Sequence, residues 1–241
     1  MKGVILAGGL GTRLYPLTHA TNKHLLPVYD QPMIFYPIKT LVNAGITEIK
    51  VVVGGPHAGD FMSVLKNGKE LGVSHLEFAH QEKEGGIADA LSLCRDFSDG
   101  DNLTVILGDN TTDANITSAV NNFKDGALIF LHKVDDPKRF GIAEFDPKDN
   151  KKIISISEKP KTPKSNMAVV GLYIYDNKVF DYIKKCKPSW RNELEITDVN
   201  NIYIKNNAMR WAKLRGYWGD AGTFQSLFQV NKYWAEKKAG K

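Results

Sequence analysis

Apolar strands and amphipathic helices alternate through the first half of the chain, and this alternation constrains the fold more than any other feature. The runs GVILAG, EIKVVVGG, HLEFAH and NLTVILGDN have the character of short strands, and the second contains a continuous apolar stretch typical of a strand buried on both faces. Helical patterns separate them, as in PMIFYPIKTLVNAG, where Ile34, Ile38 and Leu41 fall on one face. The alternation predicts a three-layer αβα sandwich with a Rossmann-like, mostly parallel central sheet.

The alternation of strands and helices ends at about residue 126. The runs ALIFLHKV, GIAEFD, KIISISEKP and AVVGLYIYD leave little room for helices between them and predict a smaller antiparallel part. Helical patterns return in NKVFDYIKKC and LEITDVNNIYIKN, and TFQSLFQVNKYWAEKK closes the chain. Because no repeat or linker interrupts the pattern, we predict one domain over 1–241, with a mainly nucleotide-binding half at 1–126 and a mainly substrate-binding half at 127–241.

Composition places the chain among ordinary globular proteins, with 241 residues, 42% hydrophobic and 24% charged. No apolar run approaches the roughly 20 residues that a membrane-spanning helix needs. The opening MKGVILAGG has a single cation and a short apolar run, which favours a strand over a signal peptide. Cys94 and Cys186 form no CxxC motif or disulfide framework, so we expect a reducing, cytoplasmic location.

The net charge of +5 indicates an anionic partner of some kind. Lysine and arginine are dispersed, however, and no aromatic-and-basic repeat or helix-turn-helix pattern accompanies them. We therefore expect neither nucleic-acid nor membrane binding, and a small anionic substrate remains as the explanation of the charge.

Glycines and cations follow the first strand directly, in AGGLGTRL. Gly8, Gly9 and Gly11 allow backbone N–H groups to approach a phosphate at the carboxyl end of that strand. Arg13 and Lys23 supply the positive charge that a polyphosphate requires. The third glycine of the dinucleotide fingerprint is missing, and no P-loop motif is present. On these residues alone, a plain glycine turn with surface cations remains open.

Longer segments carry a family resemblance. LAGGLGTRLYPLT, followed by NKHLLPVYDQPMIFYPIKTLVNAGI, resembles the signature of the sugar-1-phosphate nucleotidylyltransferases, and most of all their short-form thymidylyltransferase branch. The likeness continues in the family's order through QEKEGGIADAL, LGDN, DDPKRFGIAEFD, SEKPKTPKSNMAVVGLYIYD, RNELEITDVNNIYI and WGDAGT. It implies transfer of a thymidylyl group from dTTP to glucose 1-phosphate, giving dTDP-glucose and pyrophosphate for nucleotide-sugar biosynthesis. It also implies a homodimer or homotetramer.

The resemblance further implies the residues of the site. Catalytic cations would be Arg13, Lys23 and Lys159, and one Mg²⁺ would be held by Asp109 and Asp220 together with substrate phosphates. The nucleotide would be bound by Gly8, Gly9, Gly11, Thr12, Arg13, Lys23, Gln81, Gly86 and Asp109. The sugar phosphate would be bound in the second half by Gly141, Glu158, Lys159, Val169, Tyr173 and Arg191.

Each of these residues also has an ordinary structural interpretation. An aspartate after a strand, such as Asp109, is commonly a turn residue, and Tyr173 could simply pack in the core. Two other functions stay open as well: the same reaction with UTP or another hexose 1-phosphate, and a nucleotide-binding regulator without turnover. The sequence departs from the family pattern at His24, at Asp89 and in TTDAN after LGDN, where an apolar-aromatic pair is usual. We interpret these departures as changes in the pocket walls.

Overall fold

Strands and helices alternate through the first half of the chain as predicted, in a computed structural model that describes residues 1–240. The strands are β1 (Lys2–Ala7), β2 (Pro27–Val28), β3 (Gln31–Pro32), β4 (Glu48–Gly54), β5 (His75–Gln81), β6 (Leu103–Leu107), β7 (Asn110–Thr112), β8 (Ala127–Lys133), β9 (Gly141–Asp146), β10 (Asp149–Glu158), β11 (Met167–Tyr175), β12 (Met209–Lys213) and β13 (Trp218–Asp220). The helices are α1 (Phe35–Asn43), α2 (Ala58–Leu65), α3 (Ile87–Ser92), α4 (Arg95–Ser98), α5 (Thr117–Asn122), α6 (Lys178–Ile183), α7 (Ile196–Lys205) and α8 (Phe224–Lys238).

Several details differ from the sequence prediction. The segment GIADALSLCRDF forms two short helices, α3 and α4, because the N–H groups of Leu93 and Cys94 bond to carbonyls three residues back and tighten the last turn of α3. The helix α5 and the strands β2, β3, β7 and β13 were not predicted. The strands β7 and β13 have three residues each, and asparagine, glycine and aspartate are poor strand formers.

The chain forms two compact units. The glycine-loop unit consists of Lys2–Glu84, Ile106–Thr117 and the chain from Gly216. The middle unit consists of Gly85–Val105 and Ser118–Arg215, with Met1. The boundary at residue 126 between a nucleotide-binding and a substrate-binding half stays a prediction.

Parallel pairing organises the glycine-loop unit. β1 pairs with β4 and β4 with β5, all parallel, and side chains such as Ile5 and Val51 are fully buried between the layers. The carboxyl ends of these strands approach one another so closely that a Cβ on Gly54 would lie 2.6 Å from the carbonyl oxygen of Gly8. This edge is where ligands bind in open α/β sheets.

A second, two-stranded sheet lies in the same unit. β7 and β13 pair antiparallel, with Asn110 opposite Asp220 and Thr112 opposite Trp218. The N–H of Ala221 donates to the carbonyl of Asp109 at 2.9 Å and extends this pairing. Asp109, which directly precedes β7, and Asp220, the last residue of β13, therefore lie at the same end of this sheet although they are more than a hundred residues apart in sequence.

The middle unit is mainly antiparallel. β8 pairs with β11 and β9 with β10, both antiparallel, whereas β12 runs parallel to β8. Helix α7 packs on β10, and the Asn201 side chain bonds to both the N–H and the carbonyl of Ile156 at 2.9 Å. Parallel strands, a smaller antiparallel part and flanking helices confirm the predicted fold class.

None of the helices within residues 1–240 has the combination of length and apolar character that crossing a bilayer requires.

Candidate active site

The glycine loop presents Arg13 to solvent. Gly11 has φ of 71°, a left-handed conformation that favours glycine, and its carbonyl accepts a 2.8 Å hydrogen bond from the Thr18 hydroxyl. The following 3₁₀ turn, Thr12–Leu14, buries Leu14 completely and leaves Thr12 and Arg13 exposed. Within residues 1–240 the Arg13 side chain makes no hydrogen bond or ion pair, so its charge is available to a ligand.

Lys23 runs across this loop. A Cβ on Gly11 would lie 2.9 Å from Cβ of Lys23, and a Cβ on Gly9 would lie 3.7 Å from its Nζ. The Nζ reaches Asp109 Oδ2 at 2.5 Å, and both side chains are largely buried. Burial alone would raise the pKa of the Asp109 carboxyl, but the neighbouring Lys23 ammonium holds that pKa well below its usual range, so the carboxylate is ionised.

The His24 side chain is buried and neutral, and it has a structural role. Burial, together with the adjacent Lys23 ammonium, lowers the pKa of His24 to about 3, so the ring is neutral at physiological pH. Asn22 Oδ1 accepts hydrogen bonds from the His24 backbone N–H at 3.0 Å and from Nδ1 at 2.7 Å. A Cβ on Gly108 would lie 2.7 Å from the ring, so His24 packs directly on the segment that carries Asp109.

Three charged side chains converge beside Gly222. A Cβ on Gly222 would lie 3.2 Å from Arg13 Nη2, 3.4 Å from Asp220 Oδ2 and 3.7 Å from Asp109 Oδ2. The two carboxylate oxygens are therefore separated by no more than the sum of the last two distances. The two carboxylates are oxygen ligands of the kind that Mg²⁺ takes. The adjacent guanidinium is suited to binding the anionic oxygens of a polyphosphate. No group of three or more histidine, cysteine, aspartate or glutamate side chains within residues 1–240 could hold a metal without such a substrate.

Asn110 and Trp218 orient Asp109. The indole N–H of Trp218 donates to Asn110 Oδ1 at 2.7 Å, and Asn110 Nδ2 donates to Asp109 Oδ1 at 2.9 Å. Because Oδ1 is bound by Asn110, Oδ2 is the oxygen that faces Lys23 and Gly222. Outer partners of this kind fix the direction of a metal-binding carboxylate.

Replacing Gly222 with alanine is expected to lower kcat/KM by about 10²-fold, because a misplacement of about 1 Å at a reacting centre has an effect of that size. The added methyl group would lie within 3.2–3.7 Å of Arg13 and of both carboxylates and would displace at least one of them. Steady-state kinetics of pyrophosphate release would measure the change, and thermal unfolding would confirm an intact fold. Gly59→Ala is the matched control, since a Cβ there meets nothing within 4 Å. Equal kcat/KM values for Gly222→Ala and wild type would contradict the arrangement.

Gln81 lies at the end of β5 in the same unit. It is 8% exposed, and a Cβ on Gly8 would lie 2.5 Å from its Oε1. The absence of a side chain at residue 8 therefore leaves room for the Gln81 amide at this edge. Glu84, three residues after Gln81, also contacts the glycine loop, because the Leu10 N–H donates to Glu84 Oε1 at 3.1 Å.

In the middle unit, Glu158, Thr197 and Gly141 form a polar group. The Thr197 hydroxyl donates to Glu158 Oε2 at 2.7 Å, and a Cβ on Gly141 would lie 3.3 Å from that oxygen. Lys159 follows with φ of 43°, a left-handed conformation unusual for lysine, and its Nζ lies 3.6 Å from Glu158 Oε1. Backbone strain of this kind is common at functional sites.

Val169 and Tyr173 lie on β11 of this unit. Tyr173 is 4% exposed and stacks on Tyr175 with ring centroids 5.7 Å apart, whereas Val169 is half-buried. This burial agrees with the core-packing interpretation of Tyr173, and its role toward a sugar stays a prediction.

Arg191 is already held by carboxylates. Its Nη2 lies 2.8 Å from Glu195 Oε2 and 3.0 Å from Glu193 Oε2, and its Nε donates to Glu195 Oε1 at 3.1 Å. Although partial burial disfavours the charge, Glu195 and Glu193 raise the pKa of Arg191. Its Nη1 makes no such bond to the described residues, so a further anion can bind at that end.

Gly86 directly precedes α3 and has φ of 96°, a conformation that most other residues rarely adopt. A Cβ there would lie 2.6 Å from the carbonyl oxygen of Leu194, and the Leu194 N–H donates to Gly85 at 2.7 Å. The glycine pair is therefore required for packing against the segment before α7.

Sequence reasoning did not single out several residues that shape these groups. Gly222 and Trp218 lie inside the recognised WGDAGT segment, and Thr197 and Glu195 inside LEITD, but nothing in those letters shows which atoms meet. A search of each recognised segment for small residues and hydrogen-bond donors beside the predicted ligands would have found Gly222, Asn110 and Thr197.

Comparison with known proteins places the chain in a family. The model of the nucleotidyl transferase family matches residues 2–237. A glucose-1-phosphate thymidylyltransferase of Xanthomonas campestris pv. campestris is 45% identical over 96% of this chain and 80% of its own length. The enzyme of that name from Neisseria meningitidis serogroup A is 41% identical over 97% of this chain and 82% of its own length.

Solved structures agree with this assignment. A Bacillus anthracis protein in complex with sucrose, assigned provisionally as a glucose-1-phosphate thymidylyltransferase, is 51% identical with a TM-score of 0.91 and covers 97% of this chain and 94% of its own. A UDP-glucose pyrophosphorylase in complex with UDP-glucose, 22% identical with a TM-score of 0.86 over 98% of both chains, shares the fold. The chain belongs to the nucleotidyl transferase family and is an enzyme of that family.

Proposed function

We propose that the enzyme transfers a thymidylyl group from dTTP to glucose 1-phosphate, which gives dTDP-glucose and pyrophosphate for nucleotide-sugar biosynthesis. The observation that carries this proposal is the convergence of Arg13, Asp109 and Asp220 beside Gly222, next to a glycine loop at the carboxyl edge of a parallel sheet. The names of the relatives support the choice of dTTP and glucose 1-phosphate.

Asp109 and Asp220 are the residues that would hold Mg²⁺. Their oxygens approach the same point beside Gly222, and two carboxylates with substrate phosphates are a typical set of Mg²⁺ ligands. When bound, the ion neutralises charge on the α-phosphate and on the departing pyrophosphate. Lys23, which contacts Asp109 and crosses the glycine loop, contributes a second positive charge on this side of the nucleotide.

Catalysis by these residues consists of positioning and charge neutralisation. A phosphate oxygen of glucose 1-phosphate attacks the α-phosphorus and the bond to pyrophosphate breaks; the nucleophile is already an anion and requires no general base. Arg13 and the loop amides bind the triphosphate, and no partner among residues 1–240 competes for the Arg13 side chain. Lys159 and the open Nη1 end of Arg191 bind the attacking phosphate.

The polar group of the middle unit binds the sugar. Glu158 accepts hydrogen bonds from sugar hydroxyls, and Thr197 holds one of its oxygens so that the carboxylate keeps one direction. Gly141 leaves the space beside that oxygen open, since any larger side chain would enter it. Val169 and Tyr173 line the sugar pocket, and Gln81 and Gly86 bind the pyrimidine.

We further assign the enzyme to the cytoplasm, as a homodimer or homotetramer. Both cysteines are free thiols, Cys94 buried and Cys186 partly exposed, as expected in a reducing compartment. The oligomeric state follows from the family resemblance, and analytical ultracentrifugation would measure it.

The decisive experiment identifies the product by mass spectrometry when dTTP, UTP, glucose 1-phosphate and competing hexose 1-phosphates are offered together with Mg²⁺. We expect dTDP-glucose to be the main product. A UDP-sugar or another hexose as the main product would replace the proposed substrates within the same reaction class. Tight dTTP binding without release of pyrophosphate would instead identify a regulator.

A further inference from the structure

The segment TTDAN, where the sequence departs from its family, contains an acidic residue whose contacts the proposed reaction does not use. Asp113 lies one residue beyond β7 and four residues after Asp109. Its carboxylate accepts hydrogen bonds from three groups: the Tyr217 backbone N–H at 2.7 Å to Oδ1, and the Tyr233 hydroxyl and Lys237 ammonium to Oδ2. Asp113 therefore joins the end of β7, the start of β13 and helix α8.

The Oδ1 atom of Asp113 is bound at the start of β13, the strand that carries Asp220. Tyr217 directly precedes β13, and its carbonyl accepts a 2.6 Å hydrogen bond from the Thr112 hydroxyl. Gly216 has φ of 111°, and a Cβ there would collide with Asp113 Oδ1, so the chain bends closely around the carboxylate. The Tyr217 hydroxyl lies against Gly219, the neighbour of Asp220.

The Oδ2 side acts on helix α8. Tyr233 and Lys237 are one helical turn apart, and the Tyr233 ring stacks on Tyr217 with centroids 3.5 Å apart. Hydrogen bonding to Asp113 raises the pKa of Lys237, which shows that the pair favours the charged forms. The two carboxylate oxygens thus hold different elements.

We propose that Asp113 is a positioning residue that sets the register of β7 against β13 and thereby holds Asp109 and Asp220 at one place. It touches neither substrate nor metal and acts through Tyr217. The inference rests on the proposed role of Asp109 and Asp220 in the reaction. The polar TTDAN segment supplies a fixed hydrogen-bonding link where a pair of apolar and aromatic residues would supply packing only.

Backbone hydrogen exchange of the metal-free enzyme tests the link directly. In Asp113→Ala we expect peptides covering 109–112 and 217–221 to exchange about tenfold faster, as expected when a hydrogen bond to a charged group is lost. Asp113→Asn keeps an acceptor for the Tyr217 N–H, so these peptides should exchange as in wild type while the last turns of α8 exchange faster. Tyr233→Phe and Lys237→Met should likewise affect α8 alone.

A second measurement connects the link to the reaction. The Mg²⁺ concentration for half-maximal activity should rise about 10-fold in Asp113→Ala and remain unchanged in Asp113→Asn, since outer partners of metal-binding residues have effects of 10–100-fold. Unchanged exchange of the two strands in Asp113→Ala would overturn the inference, and so would strand opening in Tyr233→Phe equal to that in Asp113→Ala. Faster strand exchange without any change in the Mg²⁺ requirement would instead contradict the proposed metal site, because the exchange measurement needs no metal.

Discussion

Replacing Asp220 with asparagine is expected to lower kcat by about 10²–10³-fold, the size of effect seen when one preorganised electrostatic contact is removed. The substitution keeps the size and shape of the side chain and removes its negative charge, so β13 and its pairing with β7 should persist. The loss follows from the approach of Asp220 Oδ2 to the point beside Gly222 that Asp109 and Arg13 also face. Pyrophosphate release at saturating substrates, measured over a range of Mg²⁺ concentrations, gives the comparison.

The control for Asp220→Asn is Asp60→Asn. Asp60 is an exposed carboxylate on α2 whose ion pair with His57, at 3.3 Å, belongs to the surface. Surface pairs of this kind contribute little to stability, so this variant should have wild-type kinetics. Turnover of Asp220→Asn near that of wild type would remove Asp220 from the mechanism and, with it, the shared metal site.

Replacing Arg13 with alanine is expected to reduce kcat by a similar factor, about 10²–10³. Arg13 is an exposed cation of the glycine loop that pairs with no other residue in the described range 1–240, and Leu14, not Arg13, anchors the turn in the core. The melting temperature should therefore stay the same while triphosphate binding in the transition state is lost. Initial rates with dTTP and glucose 1-phosphate varied in turn would separate the effects on kcat from those on each KM.

Two further variants sharpen the result for Arg13. Arg13→Lys keeps the charge but loses the planar fork that binds two phosphate oxygens, so its kcat should lie between those of Arg13→Ala and wild type. Arg210→Ala removes an exposed arginine of β12 that pairs with Asp125, and this variant should have wild-type kinetics. If Arg13→Ala and Arg210→Ala are kinetically equal, Arg13 has no part in catalysis.

Strand and helix periods in the sequence were sufficient to predict most of the fold. Long apolar runs such as those of β4 and β11 are stable only when both faces of the strand are buried. Their alternation with helices predicts a sheet covered by layers of helices. Among the elements that were not predicted, β7 and β13 have three residues each, and most of these residues are polar or glycine. Their pairing is stabilised by long-range partners, such as the Trp218–Asn110 hydrogen bond, and has no local signal.

The sequence by itself determined the residue types of the site: glycines behind the first strand, cations near them, and carboxylates in LGDN and WGDAGT. It did not determine which of them meet, because Asp109 and Asp220 are separated by more than a hundred residues and only the β7–β13 pairing brings them to one place. The tertiary structure also decided the state of each charge. Lys23 keeps Asp109 ionised despite burial, Glu195 holds one end of Arg191, and Arg13 has no partner in the part of the chain that the structure describes. Hydrogen bonding and desolvation depend on neighbours in space rather than in sequence.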